Sequence, residues 1–171
     1  FVERVSRAHE TLGLGADLLR EGVSGRSRQP LCVEAEALVP VGDDVFGRPQ
    51  RLTPAAARAW SQLQEAATQD EVSLQLVSAF RGVEYQCQLI ERKLAAGQAL
   101  DAILTLSAAP GFSEHHTGNA VDVTTEGSPA LEEAFERTAC FAWLQLNAAR
   151  FGFSMSYPRD NPYGIAYEPW H

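Results

Sequence analysis

The sequence predicts an α+β fold, and three observations carry that prediction. Short segments with strand-like alternation, SLQLVSAF (73–80) and NAVDVTT (119–125), stand between stretches with helical signals. Two helices declare themselves by their ends. Thr53-Pro54 sets a capping hydroxyl before proline at the first helical position, and Gly97 stops the run VEYQCQLIERKLAAG. The elements follow no regular β-α-β rhythm, which argues against a parallel sheet wrapped by helices.

Residues 1–20 set Val2, Val5, Leu12, Leu14, Leu18 and Leu19 among charges, an amphipathic helix weakened by Gly13 and Gly15. GVSGRSRQP (22–30) reads as a turn-rich linker, LCVEAEALVPV (31–41) as extended, and GDDVFGRPQRL (42–52) as a loop or hairpin. AAARAWSQLQEAATQ continues the helix that Thr53-Pro54 begins. In 73–80, Leu74, Leu76 and Ser78 alternate with Gln75, Val77 and Ala79. DAILTLSA (101–108) is a short helix closed by Pro110-Gly111. In 119–125, Ala120 and Asp122 share a strand face. PALEEAFERT and FAWLQLNAARFG read as two more helices, the second ending near Gly152. FSMSYP reads as a strand, RDNPYG as a turn and IAYEPWH as a last strand bending at Pro169. One domain over 1–171 is expected, with 1–30 a helical extension and linker.

At 171 residues and 45% apolar composition, the chain can build a substantial core. No apolar run approaches the ~18 residues of a membrane helix, so no membrane span is expected. No leader is visible either, but the chain opens on Phe1, as after removal of an upstream segment, so its lack decides nothing about export. The net charge is −8 and the basic residues are scattered, which speaks against a nucleic-acid partner. Such a surface suits a diffusing protein that meets its substrate at a pocket. Cys32, Cys87 and Cys140 are far apart without a C-x-x-C pair, which excludes a cysteine zinc knuckle and favours buried free thiols.

The stretch GFSEHHTGNAVDVT (111–124) holds two of the four histidines just ahead of an aspartate. Neutral imidazole and carboxylate are good ligands for a zinc-like ion. Gly118 lets the chain turn sharply between His115 and Asp122. An aspartate between Val121 and Val123 in a core strand is costly unless paired or coordinated. Small Ala120, on the same face, would leave room for an ion. The closing Glu168-Pro169-Trp170-His171 would bring a third ligand and a free carboxylate together. Three protein ligands leave an open position for water, as in catalytic zinc sites. Spacing alone does not say whether His115 or His116 binds the metal.

The pattern S-x-H-x-x-G-x-A-x-D appears as Ser113, His115, Gly118, Ala120 and Asp122, preceded by S-A-F-R (78–81) and followed by E-P-W-H (168–171). This resembles the VanY-type D-alanyl-D-alanine carboxypeptidases, zinc peptidases of bacterial cell-wall peptides that share the Hedgehog/DD-peptidase fold. Gln86 and the run W-L-x-x-N-A-x-x-F-G-F (143–153) are similar too, and the resemblance spans roughly 75–171. It implies a small antiparallel central sheet with flanking helices. It picks His115, with Asp122 and His171, as ligands of one zinc ion, and leaves His116 as a loop or substrate-facing residue. Glu168 would be the general base that takes a proton from the attacking water and passes it to the leaving amine. Arg81 would hold a substrate carboxylate or stabilise the tetrahedral oxyanion. Ser113 would hydrogen-bond the substrate's C-terminal end, and Gln86 would form a polar pocket wall. Family members usually continue past E-P-W-H, so a trimmed chain is expected at His171.

The implied activity is zinc-dependent D,D-carboxypeptidase cleavage of the terminal D-alanine from peptidoglycan stem peptides, by a monomer in the periplasm or outside the cell. The same metal chemistry admits an L,D-carboxypeptidase or a peptidoglycan endopeptidase of phage-lysin type, because selectivity lies in the pocket walls. A zinc-stabilised binding module without catalysis has no need of Glu168 and Arg81. The acidic pairs Asp43-Asp44 and Glu132-Glu133 read as solvated faces, and His9 as an ordinary surface or packing residue.

Overall fold

The computed structural model describes residues 1–15 and 29–171. Helix α1 is Val2–Thr11. The continuation expected to residue 20, and the linker reading at 22–30 apart from Gln29 and Pro30, lie outside the described residues. Strands β1 (Val39–Asp43) and β2 (Pro49–Leu52) form an antiparallel hairpin with Val39 opposite Leu52. Helix α2 (Pro54–Gln69) starts as its sequence predicts: Thr53 Oγ1 accepts the Ala56 N–H, and proline sits in the first turn. Strand β3 (Gln75–Ser78) is followed by α3 (Val83–Ala95), α4 (Leu100–Leu106), a 3₁₀ turn (Glu114–Thr117) and β4 (Asp122–Thr124). A 3₁₀ turn (Glu133–Arg137), helix α5 (Ala139–Asn147) and a last 3₁₀ turn (Ala148–Phe151) complete the ordered elements.

The α+β class holds. Among the described residues, antiparallel pairing is divided between two two-stranded sheets, β1–β2 and β3–β4. In the second, Leu76 lies opposite Val123, and a register irregularity sets Asp122 opposite Ser78. Three expectations are corrected. PALEEAFERT forms only the short 3₁₀ turn, and neither FSMSYP nor IAYEPWH is a strand. The tail makes single backbone bonds to three different partners instead of a ladder: Ala166 N–H to Thr105, Glu168 N–H to Tyr157, and Val123 N–H to the Trp170 carbonyl. Pro158 and Pro169 have no N–H to give a ladder.

Two apolar clusters position the site. Ala56, Trp60, Leu63 and Ala67 form the buried stripe of α2, and the first three pack with Leu76, Val123, Phe135 and Cys140. Each large side chain fully buried there contributes about 1.5–3 kcal/mol. The second cluster joins Val5 and Ala8 of α1 and Leu12, which follows it, to Val83, Cys87 and Ile90 of α3 and Ile103 of α4. Helix α3 begins at Gly82, which offers no capping side chain; Glu34 accepts the Val83 N–H instead and pairs with Arg4 of α1. All three cysteines are buried and free, as expected.

Asp44 is also corrected. It is buried rather than solvated, because the β1–β2 turn needs an acceptor. Its carboxylate takes the N–H groups of Phe46 and Arg48, the Arg48 Nε and the Gln50 Nε2. Burial alone would raise its pKa, but these donors, Arg48 and Phe46 foremost, hold it below its ordinary 3.8. A carboxyl depressed on folding stabilises the fold fully above its unfolded pKa, and that contribution drains away as pH falls through the lower folded value. Asp44→Ala should therefore cost about 2–3 kcal/mol in urea denaturation at pH 7, and the gap to wild type should narrow at pH 3. A gap independent of pH would refute the ionic role.

Candidate metal centre and active site

The S-A-F-R segment and the His115 loop are laced together by backbone. Arg81 N–H donates to the His115 carbonyl, and His116 Nδ1 lies 2.5 Å from the Arg81 carbonyl. Gly118 ends the 3₁₀ turn with φ +67°, and a Cβ there would stand 2.9 Å from Leu38 Cδ2. Only glycine combines that conformation with that closeness, and it is what swings the chain from His115 into β4.

Asp122 is the hub of the site. His115 Nε2 lies 3.1 Å from Asp122 Oδ2, and His171 Nδ1 lies 2.9 Å from Asp122 Oδ1. One ligand atom from each of the three residues falls within a 4.8 Å group, so the expected convergence of mid-chain and tail is present. His115 Nδ1 sits 2.6 Å from the Ala79 carbonyl and must donate to it. Its buried Nε2 then presents a bare lone pair to a carboxylate, and it has no hydrogen-bond partner. Two facing acceptors call for a cation between them. A tetrahedral ion with bonds of about 2.0–2.1 Å spaces its ligand atoms roughly 3.3 Å apart, close to these separations.

The charge states of His115 and Asp122 suit that use, whereas His171 must give up its Nδ1 proton to an arriving ion. Burial pushes His115 down to about 4, with Arg81 adding to the effect, so the ring is neutral. Burial alone would raise Asp122, yet the positively charged His171, donating to Oδ1, holds it well below the usual carboxylate range. Burial lowers His171, but hydrogen bonding to Asp122 and Glu114 wins and lifts it to about 9.

A cavity of about 370 Å3 opens over this trio, lined by Arg81, Gln86, Ser113, His115, Asp122, Glu168 and His171 among others. All the candidate residues thus border one space. Glu168 Oε2 is 4.0 Å from His171 Nδ1. Burial lifts the Glu168 carboxyl to about 7, with Asp122 adding and His171, Arg81 and Lys93 opposing. Arg81 Nη2 is 3.8 Å from Asp122 Oδ2, and its buried Nε has no partner. Gln86 donates Nε2 to the Ala108 carbonyl and keeps Oε1 unpaired.

Two details differ from the sequence reading. Ala120 precedes β4, which begins only at Asp122, and it lines a second, more apolar cavity of about 590 Å3 that shares Trp170 and His171 with the first. His116 is fully buried and faces no substrate. Its Nε2 accepts the Gly111 N–H, so Nδ1 donates to Arg81, and the ring braces two site loops.

Glu114 was not singled out from the sequence, yet its Oε2 lies 3.1 Å from His171 Nε2 and accepts from Ser156 Oγ at 2.6 Å. The Tyr157 ring packs on His171 with centroids 4.7 Å apart. A carboxylate adjoining a candidate ligand was the only available signal for Glu114; its partner is 57 residues away.

The family model for VanY, D-alanyl-D-alanine carboxypeptidase, matches residues 49–171. A D-alanyl-D-alanine carboxypeptidase of Enterococcus faecalis is 34% identical over 117 residues, which are 63% of this chain and 42% of that protein. The chain spans less than half the length of the first curated relatives it matches. The LdcB LD-carboxypeptidase structure superposes with a TM-score of 0.72 at 30% identity, covering 81% of this chain and 67% of that one. A VanY D,D-pentapeptidase variant solved with Zn(II) gives 0.61 at 27%, covering 82% and 84%. With most of its length matched by that model, the chain belongs to the VanY D-alanyl-D-alanine carboxypeptidase family.

Proposed function

We propose that this chain is a zinc-dependent D,D-carboxypeptidase that removes the terminal D-alanine from peptidoglycan stem peptides. The observation that carries the reading is the unpaired His115 lone pair turned to Asp122, in a cavity that also holds Glu168 and Arg81. His115 Nε2, Asp122 and His171 Nδ1 would hold one zinc ion, the ion solved with a VanY relative. When bound, zinc supplies Lewis acidity at the scissile carbonyl and acidifies water.

The chain's own groups do the rest. Glu168 takes a proton from the attacking water and returns it to the departing amine; a carboxyl near 7 serves both directions at neutral pH. Arg81 stabilises the oxyanion that develops on the carbonyl oxygen, a role typically worth about 3–4 kcal/mol. Ser113 and Gln86 Oε1 offer polar contacts to the peptide. Glu114 orients His171 by holding Nε2, which turns Nδ1 toward Asp122. Residues 1–171 act as one unit, a reading supported by the packing of α1 on α3 and α4. Among the described residues no helix is long and apolar enough to cross a membrane. Because the substrate polymer lies outside the cytoplasmic membrane, we assign the enzyme, as a monomer, to the periplasm or extracellular side.

L,D-carboxypeptidase activity is the second reading, favoured by the likeness to LdcB. Product masses separate the two: the first reading expects D-alanine from a pentapeptide ending D-Ala-D-Ala, the second D-alanine from the tetrapeptide alone. Glu168→Gln should lower D-alanine release about 10²–10⁴-fold while metal analysis still finds one zinc per chain; undiminished turnover would remove Glu168 from the mechanism. Glu114→Ala should weaken zinc binding about 10–100-fold in chelator competition, and an unchanged affinity would deny its orienting role.

A further inference from the structure

His9 of α1 lies ahead of the family match and borders neither cavity, yet it is only 2% exposed. Its Nε2 sits 2.8 Å from the Pro110 carbonyl oxygen, which can only accept, so Nε2 carries a proton and donates. The ring lies along that of Phe112, with centroids 6.1 Å apart and planes 24° from parallel. Its Nδ1 is buried and has no hydrogen-bond partner among the described residues. An unmet buried polar atom is a cost that phenylalanine or leucine would avoid at this position. Filling space therefore gives no reason for a histidine, whereas donating to Pro110 does.

The Pro110 carbonyl and the Gly111 N–H belong to one planar peptide unit. That N–H donates to His116 Nε2 at 3.0 Å, and His116 Nδ1 donates to the Arg81 carbonyl at 2.5 Å. Two imidazoles thus grip opposite ends of one amide, and the second passes the constraint to Arg81. Each bond in such a buried chain polarises and strengthens the next. Val5 of α1 backs the same amide, since a Cβ at Gly111 would meet Val5 Cγ1 at 2.7 Å. Arg81 has need of this support. Among the described residues its Nε has no partner, and Nη2 stands 3.8 Å from Asp122 Oδ2. The side chain is loosely held, so its aim depends on its backbone, fixed at the N–H by the His115 carbonyl and at the carbonyl by His116.

We propose that His9 is a positioning residue for the hydrolysis: through the Pro110–Gly111 amide and His116 it fixes the backbone that aims Arg81 at the oxyanion. This rests on the carboxypeptidase reading above. It makes a helix outside the family match a working part of the site.

The test uses the full, zinc-loaded chain and a stem pentapeptide ending D-Ala-D-Ala, with rates counted per bound zinc. His9→Phe keeps a ring on Phe112 and removes the donor. It should lower kcat about tenfold with KM nearly unchanged, as expected when one lost hydrogen bond is felt only in the transition state. His9→Gln, whose Nε2 also donates, should stay within about threefold of wild type. In an Arg81→Ala background His9→Phe should cost less than about twofold, because the residue it acts through is gone. A purely structural role would give the same loss in both backgrounds, and that result would overturn the proposal. So would a His9→Gln variant as slow as His9→Phe. Nitrogen NMR of the wild type adds a test that no variant's folding can obscure. His9 should carry its proton on Nε2 and His116 on Nδ1, and the opposite tautomer at either ring would break the chain and end the assignment even with activity intact. No D-alanine release by wild type, with both tautomers as stated, would instead remove the carboxypeptidase reading and the role of His9 with it.

Discussion

The site depends on one buried carboxylate. Asp122 emerges from a two-stranded ladder and offers an oxygen to each of two imidazoles, 3.1 Å and 2.9 Å away. Each ring is fixed through its far nitrogen, His115 to the Ala79 carbonyl and His171 to Glu114. That leaves their near nitrogens facing the same anion. A buried carboxylate so placed is stable only with positive charge between or upon its neighbours. The sharp turn at Gly118, the irregular β3–β4 register and the tail's route back to β4 all act to bring these three groups together.

Much of this was legible in the sequence because the chemistry is local. Ser113, His115, Gly118 and Asp122 lie within ten residues, and a glycine between two polar ligands has a direct steric meaning. Thr53-Pro54 announced α2 for the same reason: capping is a matter of adjacent atoms. The failures are both long-range and local. Glu114 owes its role to a histidine 57 residues away, whereas Asp44 is buried by donors two to six residues ahead of it in its own hairpin turn. His116 looked like a site residue because it adjoins one, but burial against Gly111 and Arg81 makes it a brace. The tail has the residue alternation of a strand, but its backbone hydrogen bonds scatter over Thr105, Tyr157 and Val123.

Residues ahead of the family match are part of this architecture. Cys32 N–H bonds to the Gly111 carbonyl and Ala35 N–H to that of His116, so the stretch after Pro30 runs along the back of the histidine loop. Glu34 caps α3 and ties it to Arg4 of α1. A Cβ at Gly111 would meet Val5 at 2.7 Å, so α1 rests directly on that loop. Stability in the N-terminal stretch and precision at His115 are therefore linked through packing.

The scattered hydrogen bonding of the tail has one further consequence. His171 is joined to Asp122 across 49 residues by side chains, with little regular backbone pairing to hold the closing segment. An ion shared by the two would serve as a cross-link that shuts this long loop, giving the fold the kind of tether that a disulfide gives elsewhere, in a protein whose three thiols form none.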